Sequence, residues 1–356
     1  MAGKITHLEV LAQVAKHLGH GNPEQRKIAS LLTSKETKNY ANVGAIAPDI
    51  FYFYHILSPI RSSRAQVWGD LHHHKRVAEL ILNFLDNINE EEEELFKERA
   101  RAFTFGYICH CVVDIVTHPY IFYISGDYYN KDPKVASTAQ YHHLRVEFAL
   151  DSFLLNHRWG MSPEAYDFNQ YVNITRSNGV AGSKLDPVIW AFWQKALKET
   201  FPDEFQKYYT GSEKKIIPGD VINDSYIGFV EFNQFLDSRN PIVRGVLKFI
   251  DIVTFNKIKS SVLMLPTLET VDRRIMNEEK RPWYYPAEPT TVKNDSFIEL
   301  VNRAANASIT AITTANEYLN QGVKRDTILK EYKGYNLDTG IRNEDISSMK
   351  EFAPLI

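Results

Sequence analysis

Apolar residues recur every three or four positions along most of the chain, which is the spacing of a helix with one buried face. The pattern begins at residues 6–18, where Leu8, Leu11, Val14 and Leu18 recur in this way after a candidate cap at Thr6. Strand-like alternation is almost absent, so the pattern predicts an all-α fold. Further helices are predicted over residues 25–32, 95–124, 139–157, 187–200, 220–236, 243–256, 265–276, 296–321 and 325–332.

A turn interrupts the apolar run ANVGAIAPDIFYFYHI. Gly44 and Pro48 break the helical pattern there, and Asp49 follows the proline directly. The residue before a proline is biased towards extended backbone or a turn, so an aromatic helix is predicted to begin at Asp49, directly after the turn at Pro48. Asp49 is then either the N-cap of that helix or a carboxylate presented from a turn that Pro48 fixes.

Other segments are predicted from their proline and charge content. Residues 61–66 read as a linker, and residues 68–88 as one amphipathic helix that begins with three histidines. Pro119 is expected to end or kink the central helix, because proline cannot donate the helical hydrogen bond. The segment EKRPWYYPAEPTT, residues 279–291, is predicted to be a stiff aromatic loop that serves as a lid or as a linker.

Charged and imidazole side chains interrupt two of the apolar helices at a regular interval. In the run CHCVVDIVTHPY, His110, Asp114 and His118 lie four residues apart. A step of four advances the helix face by only about 40°, so all three side chains leave the same side.

A second helix repeats this arrangement. His143, Glu147 and Asp151 lie four residues apart in the apolar run YHHLRVEFALDSFLL. Burying imidazoles and carboxylates is costly unless they meet a compensating charge. A divalent metal ion supplies that charge, so the two helices predict a metal site between them.

The composition is that of an ordinary globular protein. Of 356 residues, 44% are hydrophobic and 24% are charged, and the formal net charge is −3, so no overall positive field attracts nucleic acid. No run approaches the roughly 20 apolar residues that span a membrane. The N-terminal stretch lacks the apolar core of a secretory signal, so a cytoplasmic location is expected. Cys109 and Cys111 are expected to be reduced thiols in the core.

Histidine is unevenly distributed, since all twelve histidines lie within the first 157 residues. The N-terminal part is therefore chemically specialised, and we expect residues 1–160 to form a metal-binding helical core and residues 161–356 to form an additional helical region packed on it, which could cover the cleft. Within the core, His7 is either a surface or cap residue or a metal ligand. The three adjacent histidines at 72–74 cannot all point inward, so one or two of them reach the interior.

Five ordered pieces of the chain carry these residues. They are THLEV with His7, APDI with Asp49, the histidine cluster, HCVVDIVTHP and HHLRVE. Together they resemble the zinc-dependent phospholipase C family, which also includes single-strand nucleases of the S1/P1 kind and the catalytic part of GPI-specific phospholipase D. The resemblance covers residues 4–160 and implies a multi-helix bundle of that type, followed here by additional C-terminal helices.

The resemblance also implies three metal positions, with ligands carried over residue by residue. The first zinc would be held by carboxylates and imidazoles from three segments: Asp49, one of His72, His73 and His74, His110 and Asp114. The second would be held by His118, His143 and Glu147. A third would be held by His7, bridged by Asp114 and, in the secreted members, completed by the N-terminal amine and carbonyl. Two to three zinc ions are therefore expected.

The chain departs from the secreted members of that family in two ways. Three residues separate Asp114 from His118 where those enzymes have five, and this spacing resembles the phospholipase D branch. Those enzymes also present an N-terminal Trp after leader cleavage, whereas this chain begins Met-Ala. If the initiator Met is removed, the amine of Ala2 precedes His7 by five residues and could share its metal.

The function that the resemblance implies is zinc-dependent phosphodiester hydrolysis. The enzyme would be phospholipase C-like and would use an activated water to cleave a phospholipid or a related phosphodiester. Asp114 would be catalytic by bridging metals, and Asp49 would be either a ligand or the base that takes the water proton. Asp151 and Asp70 are candidates to hold ligand imidazoles by their second nitrogen.

Two alternative functions stay open. A single-strand nuclease or another phosphoesterase could use the same metal site, although the missing basic stripe disfavours nucleic acid. The zinc could instead be structural, in a non-catalytic interaction protein that binds metal without turnover. A di-iron or di-manganese bundle is disfavoured because both ligand helices lack Glu-x-x-His pairs. The sequence predicts no oligomeric state.

Overall fold

The structure is a computed structural model that describes residues 3–55, 59–177, 183–254, 260–343 and 345–355. Within these ranges it consists of α-helices and two separate antiparallel strand pairs, which confirms the predicted all-α class. The helices are α1 (Lys4–Gly19), α2 (Pro23–Thr33), α3 (Lys38–Gly44), α4 (Pro59–His74), α5 (Val77–Glu90), α6 (Glu94–Ser125), α7 (Pro133–Trp159), α8 (Asn169–Val172), α9 (Pro187–Thr200), α10 (Pro202–Tyr208), α11 (Val221–Phe235), α12 (Pro241–Val253), α13 (Phe297–Leu319) and α14 (Arg325–Tyr332). The strands are β1 (Thr175–Ser177) with β2 (Ser183–Leu185), and β3 (Trp283–Tyr285) with β4 (Glu288–Lys293).

Helix α6 is the centre of the fold. Most of its residues from Ala100 onward are buried, and it packs against α3, α5, α7 and α13. Among the described residues it is the one helix long and apolar enough to cross a membrane, and most of its apolar stretch is buried inside the protein. Its environment is therefore that of a core helix, and its polar residues lie in the protein interior.

Pro119 lies inside α6, which continues to Ser125, so the expectation that the proline ends this helix is wrong. A proline leaves the carbonyl four residues earlier, here that of Ile115, without its helical donor. Gly340 packs against this point with φ of +67°, and a Cβ there would lie 2.6 Å from the Ile115 oxygen and 2.7 Å from Pro119 Cγ. The C-terminal segment therefore covers the interruption in α6 at close range.

Two glycines bring α3 and α6 into backbone contact. A Cβ at Gly44 would lie 1.9 Å from the carbonyl oxygen of Phe103, and a Cβ at Gly106 would lie 1.9 Å from that of Ala41. Real Cβ atoms cannot approach so closely, so both positions require glycine. The contact also brings the carbonyl of Ala45, just after α3, next to His110 of α6.

Residues 61–88 differ from the predicted linker and single helix. Helix α4 runs through the supposed linker to His74, and α5 begins anew at Val77. Arg76 between them has a left-handed conformation with φ of 51°, which is incompatible with a continuous helix. The three histidines therefore form the last turn of α4, and the phase of α4 decides which of them points inward.

Two predictions for the C-terminal half are wrong in local structure. Residues 265–276, predicted as a helix, contain two short 3-10 turns, Leu268–Thr270 and Arg273–Met276. The aromatic segment 279–291 is not a loop from Trp283 onward, because these residues belong to the β3–β4 hairpin. Trp283 of β3 is buried beside Tyr120 of α6. This hairpin is docked on the central helix.

The apolar core is continuous across the predicted division at residue 160, and that division stays a prediction. Buried side chains of α1, α5 and α6 join those of α9, α11 and α13 in one cluster. A second, small cluster lies beneath α12 and consists of Leu236, Leu247 and Met264. Phe232 and Leu263 pack against it, so α12 is supported outside the main core.

Candidate metal centre

Asp114 lies at the centre of a group of imidazoles in the interior of the protein. Its side chain is fully buried on α6. Its Oδ2 atom lies 3.0 Å from His110 Nε2 and 3.4 Å from His73 Nε2. Its Oδ1 atom lies 3.4 Å from Nε2 of both His7 and His118. One carboxylate therefore faces four imidazoles from α1, α4 and α6, as a bridging ligand would.

Asp49 supplies a second carboxylate to this group. It lies in a 3-10 turn, Ala47–Phe53, and its side chain does not cap a helix, so the N-cap interpretation is wrong. Its Oδ1 atom lies 3.2 Å from His73 Nε2, and its Oδ2 atom lies 3.9 Å from His7 Nε2. The turn after Pro48 therefore presents Asp49 to the same imidazoles as Asp114.

A further group of donors lies along the same face of α6. His143 Nε2 and Glu147 Oε1 on α7 are 3.0 Å apart, and the ring of His143 lies 5.9 Å from that of His118. Three sets of donors each have all their ligand atoms within 4.8 Å of one another: His7, His110 and Asp114; Asp49, His73 and His110; and His118, His143 and Glu147. All their side chains are buried, so the arrangement suits two or three cations.

The structure separates the three adjacent histidines. His73 points into the cluster, whereas His72 Nε2 accepts a hydrogen bond from Trp193 Nε1 at 3.1 Å and its Nδ1 lies 2.5 Å from the Trp68 carbonyl. Burial lowers the pKa of His72 to about 3. The candidate His72 is therefore not brought to the other donors, because the helical phase of α4 turns it towards an aromatic core. His74 is turned the other way, towards Asp338.

Backbone carbonyls fix the orientation of the inward-facing imidazoles. His73 Nδ1 lies 2.8 Å from the Gly69 oxygen, and His110 Nδ1 lies 2.9 Å from the Ala45 oxygen. A ring that donates from Nδ1 keeps a lone pair on Nε2, which is the tautomer that binds metal. His143 Nδ1 lies 3.3 Å from the Ser125 hydroxyl, so its Nε2 also faces Glu147.

The buried donors fit a divalent cation. Among the described residues, the Nε2 atoms of His7, His110 and His118 are buried and make no hydrogen bond. Buried nitrogens without a partner are costly unless something absent from the protein chain satisfies them. Neutral imidazole nitrogens and carboxylate oxygens are the ligand set that zinc accepts. The residues present therefore fit zinc by type, number and orientation.

Burial and charge shift the pKa values of this cluster. Burial lowers the pKa of His7 to about 3. Burial alone would raise the pKa of Asp114, but the imidazoles around it, foremost His118, hold it well below its usual range. Burial alone would lower the pKa of His73, but the carboxylates of Asp114 and Asp49 raise it well above its usual range. In the metal-free protein a proton therefore stays near these carboxylates, and a bound cation would displace it.

The C-terminal segment supplies a carboxylate that sequence reasoning missed. Asp338 Oδ1 lies 3.2 Å from His118 Nδ1, and its Oδ2 lies 2.8 Å from His74 Nε2. The hydroxyl of Tyr129 also donates to Asp338. Leu337 beside it donates its N–H to the His73 carbonyl at 2.8 Å, and its own carbonyl lies 3.2 Å from His118 Nδ1. The segment therefore contacts His73 of one donor set and His118 of another.

Only a turn signal marks this segment in the sequence. Asn336 in NLDTG accepts hydrogen bonds from the N–H groups of Asp338 and Thr339, which is an Asx turn. Such turns are common and carry no information about metal donors that lie 191 to 331 positions earlier in the chain.

Asp151 and Asp70 do not contact the imidazoles that they were predicted to hold. Asp151 accepts hydrogen bonds from the N–H groups of Ile5 and Thr6 at 3.0 and 2.9 Å and also from the Thr6 hydroxyl. It therefore anchors the first turn of α1, which carries His7. Asp70 accepts a hydrogen bond from the Tyr52 hydroxyl at 3.1 Å. The predicted role of Ala2 lies outside the described residues.

An apolar cavity borders the donor groups. Its volume is about 170 Å³, and Asp49 and Glu147 are the carboxylates that line it. The rest of the lining includes Tyr52, Phe53 and Phe148 together with Phe229, Phe232 and Leu263. A substrate that reaches the donors from this side therefore meets aromatic and aliphatic side chains.

The chain was compared with protein families, curated proteins and solved structures. The family described as zinc dependent phospholipase C matches residues 6–211, more than half of the chain. The match includes every donor from His7 to Glu147 and ends before Asp338. No curated protein and no solved structure matches significantly. The match confirms the resemblance inferred from the sequence: the chain belongs to the zinc-dependent phospholipase C family.

Proposed function

We propose that the protein is a phospholipase C-like phosphodiester hydrolase that works with two to three zinc ions. The observation that carries the proposal is the convergence of three buried donor sets on one face of α6, beside an apolar cavity. The first and third ions would share Asp114, with Asp49, His73 and His110 on one side and His7 on the other. The second would be held by His118, His143 and Glu147.

Zinc at these donors would lower the pKa of a water molecule towards 7 and neutralise charge on the phosphate. Among the acidic donors, Asp49 and Glu147 line the cavity, whereas Asp114 is fully buried. Glu147 lies 3.0 Å from His143 and is assigned to the second ion. We therefore assign to Asp49 the role of accepting the proton of an attacking water, and it is also close enough to His73 to be a ligand. The water oxygen bonds to phosphorus, the bond from phosphorus to the lipid alcohol breaks, and the alcohol leaves with a proton.

The cavity lining favours a lipid over a nucleic acid. Tyr52, Phe53 and Phe148 form apolar walls next to the carboxylates, and such walls suit the glycerol and acyl parts of a phospholipid. Single-strand binding would instead call for a positively charged groove that follows the backbone. The net charge of −3 offers no general attraction for a polyanion. Aromatic side chains can also stack on bases, so the nuclease alternative is tested with the same panel.

The proposal is tested by elemental analysis and a substrate panel. We expect two to three zinc ions per chain, and the release of phosphocholine from phosphatidylcholine to exceed the cleavage of bis-p-nitrophenyl phosphate and of single-stranded DNA. Asp114→Asn should lose zinc and turnover but keep its helical circular dichroism. The matched control is Asp220→Asn, a buried carboxylate remote from the donors that accepts hydrogen bonds from Trp190 and Tyr209.

Three outcomes would contradict the proposal. Full activity in Asp114→Asn would refute the metal assignment. Faster cleavage of DNA than of phospholipid would favour the nuclease alternative. Zinc binding without turnover of any substrate in the panel would favour a structural role for the metal, because a closed structural site binds zinc but leaves no position for water.

A further inference from the structure

Helix α12 shows its apolar side to the outside. Six of the ten large apolar side chains that are exposed among the described residues lie on or next to it, and each is 51% to 75% exposed: Phe235, Ile242, Val246, Phe249, Ile252 and Val253. Ile242, Val246, Phe249 and Val253 follow one another at helical spacing, so they form a continuous stripe. Isolated exposed apolar residues need no explanation, but a contiguous patch marks a docking surface.

Two polar side chains of α12, Arg244 and Asp251, are bonded to the chain that follows the helix, whereas Lys248 is exposed. Arg244 donates to the carbonyl of Leu265 at 3.1 Å, and Asp251 accepts from the N–H of Ser261 at 3.0 Å. These contacts tie the helix to the chain that follows it, and Asp251 is buried. The outward apolar stripe is therefore the consequence of a fixed helix orientation.

The base of α12 is continuous with the cavity beside the metal donors. Phe232 and Leu263 pack against the small cluster beneath α12, and the same two residues line the cavity that contains Asp49 and Glu147. Apolar side chains therefore contact one another from the base of α12 to the cavity that Asp49 and Glu147 line.

A positively charged groove runs beside the stripe. It has a volume of about 330 Å³, and Arg145 of α7 and Lys248 of α12 line it together with Arg244. Arg244 is paired with Glu164 at 3.8 Å, and Asp272 at the groove is paired with Arg274. Arg145 lies over the ring of Tyr141, and Lys248 is exposed. Phe148 borders both this groove and the cavity. Cations next to an apolar stripe complement a surface of anionic head groups over acyl chains.

We propose that α12 docks the protein on a membrane surface that contains anionic phospholipid, with its apolar stripe in the boundary between head groups and acyl chains and Arg145 and Lys248 against the phosphates. At 13 residues α12 is too short to span a bilayer. Its exposed face, about 20 Å by 10 Å, is also small against the roughly 800 Å² per partner of an ordinary protein interface. The docking proposal is argued from this surface alone. Only the further step, in which a docked lipid reaches the donors, rests on the proposed function.

The test is cosedimentation of the zinc-loaded protein with sucrose-filled vesicles at low temperature, paired with hydrolysis of a soluble short-chain phosphodiester. We expect binding to phosphatidylcholine vesicles that contain phosphatidylglycerol and weaker binding to phosphatidylcholine alone. Phe249→Ser/Ile252→Ser should bind at least about tenfold more weakly, and Lys248→Glu should remove the preference for anionic vesicles. The matched control is Val135→Ser/Val292→Ser, which removes two exposed apolar side chains elsewhere and should bind like the parent.

Several results would overturn the docking proposal. Failure of the parent protein to sediment with either vesicle would overturn it, and so would an α12 variant that binds as well as the control. A parent that is dimeric and a variant that is monomeric, with no vesicle binding by either, would assign the stripe to a second copy of the chain. Because hydrolysis of the soluble substrate is measured separately, loss of docking with retained turnover overturns this inference alone, whereas docking without turnover overturns only the proposed function.

Discussion

Replacing Asp338 with asparagine should weaken the metal set of His118 without unfolding the protein. The carboxylate uses both oxygens, one towards His118 Nδ1 and the other towards His74 Nε2 and the Tyr129 hydroxyl. Burial opposes its ionisation, but hydrogen bonds from His118 and His74 hold the pKa of Asp338 well below its usual range. Asparagine has a similar shape but offers one oxygen and one NH₂ group. A group that donates to Asp338 must therefore face the NH₂ group, which cannot accept its hydrogen bond.

The magnitude follows from the role of the carboxylate behind a ligand. If the NH₂ group faces His118, the ring is favoured in the tautomer that carries its hydrogen on Nε2, which cannot bind metal. Loss of such a supporting contact typically costs 10–100-fold in metal affinity, or about 1.4 to 2.7 kcal/mol. Leaving a buried donor unsatisfied also destabilises the fold by about 1 to 3 kcal/mol. We therefore expect a folded variant that has lost one zinc after dialysis and whose turnover has fallen in proportion.

The assay combines zinc titration against a competing chelator, elemental analysis after dialysis, phosphocholine release and thermal unfolding followed by circular dichroism. Asp220→Asn is the control, because this buried carboxylate also accepts several hydrogen bonds but lies away from the donors. It should lose stability and keep its zinc affinity. An Asp338→Asn protein with the zinc affinity of the parent within about twofold, and full turnover, would refute the view that the C-terminal turn orients His118.

Three further predictions test the site and its surroundings. His73→Gln should lose zinc and turnover, whereas His72→Gln should keep both and lose only stability, as elemental analysis and urea unfolding would show; equal zinc loss in the two variants would contradict the geometry. Burial keeps the pKa of His72 near 3, against about 6.5 in the unfolded chain. The unfolded chain therefore takes up the extra proton, and His72 should reduce stability by up to about 1.4 kcal/mol per pH unit as the pH falls from 6.5 to 3; His72→Gln should flatten that dependence in urea titrations of metal-free protein, and an unchanged slope would refute it. Gly106→Ala should destabilise the protein by about 1 to 3 kcal/mol or more, because its methyl would meet the Ala41 carbonyl. Gly245→Ala meets nothing within 4 Å inside α12, so it should unfold at the same or a slightly higher urea concentration than the parent, because alanine favours a helix over glycine.

The sequence predicts those donors of the site that lie together on one helix. Spacing alone predicts which side chains share one face of a helix, because positions four residues apart point in nearly the same direction. This holds for His110, Asp114 and His118 on α6 and for His143 and Glu147 on α7. Helices α9 and α14 were likewise predicted to the residue. The Asp186 cap and Pro187 mark the start of α9, whereas α14 has no side-chain cap and follows from its apolar spacing.

The choice between neighbouring residues required the tertiary structure. His72 and His73 differ by one position, and which of them reaches the donors depends on the phase of α4, whose start the sequence pattern assigned to a linker. Helix α12 is a second case. Its amphipathic pattern predicts a helix over residues 243–256, but the pattern does not say which face is buried, and the apolar face of the actual helix points outward because Arg244 and Asp251 are bonded inward.

The metal centre links the family-matching region to the C-terminal chain. The donors all lie within residues 6–211, yet His118 is held by Leu337 and Asp338, and Leu337 also binds the carbonyl of His73. Anything that binds only the folded state stabilises it. Cations at the donor sets of His73 and His118 would therefore stabilise the contact of the C-terminal segment with α4 and α6. That contact would in its own right hold the two imidazoles in the orientation that binds metal. Gly340 of the same segment packs against Pro119 of α6, one residue after His118, and so adds a further contact between this segment and α6. The C-terminal chain is in this sense part of the metal site, although none of its side chains is among the proposed ligands.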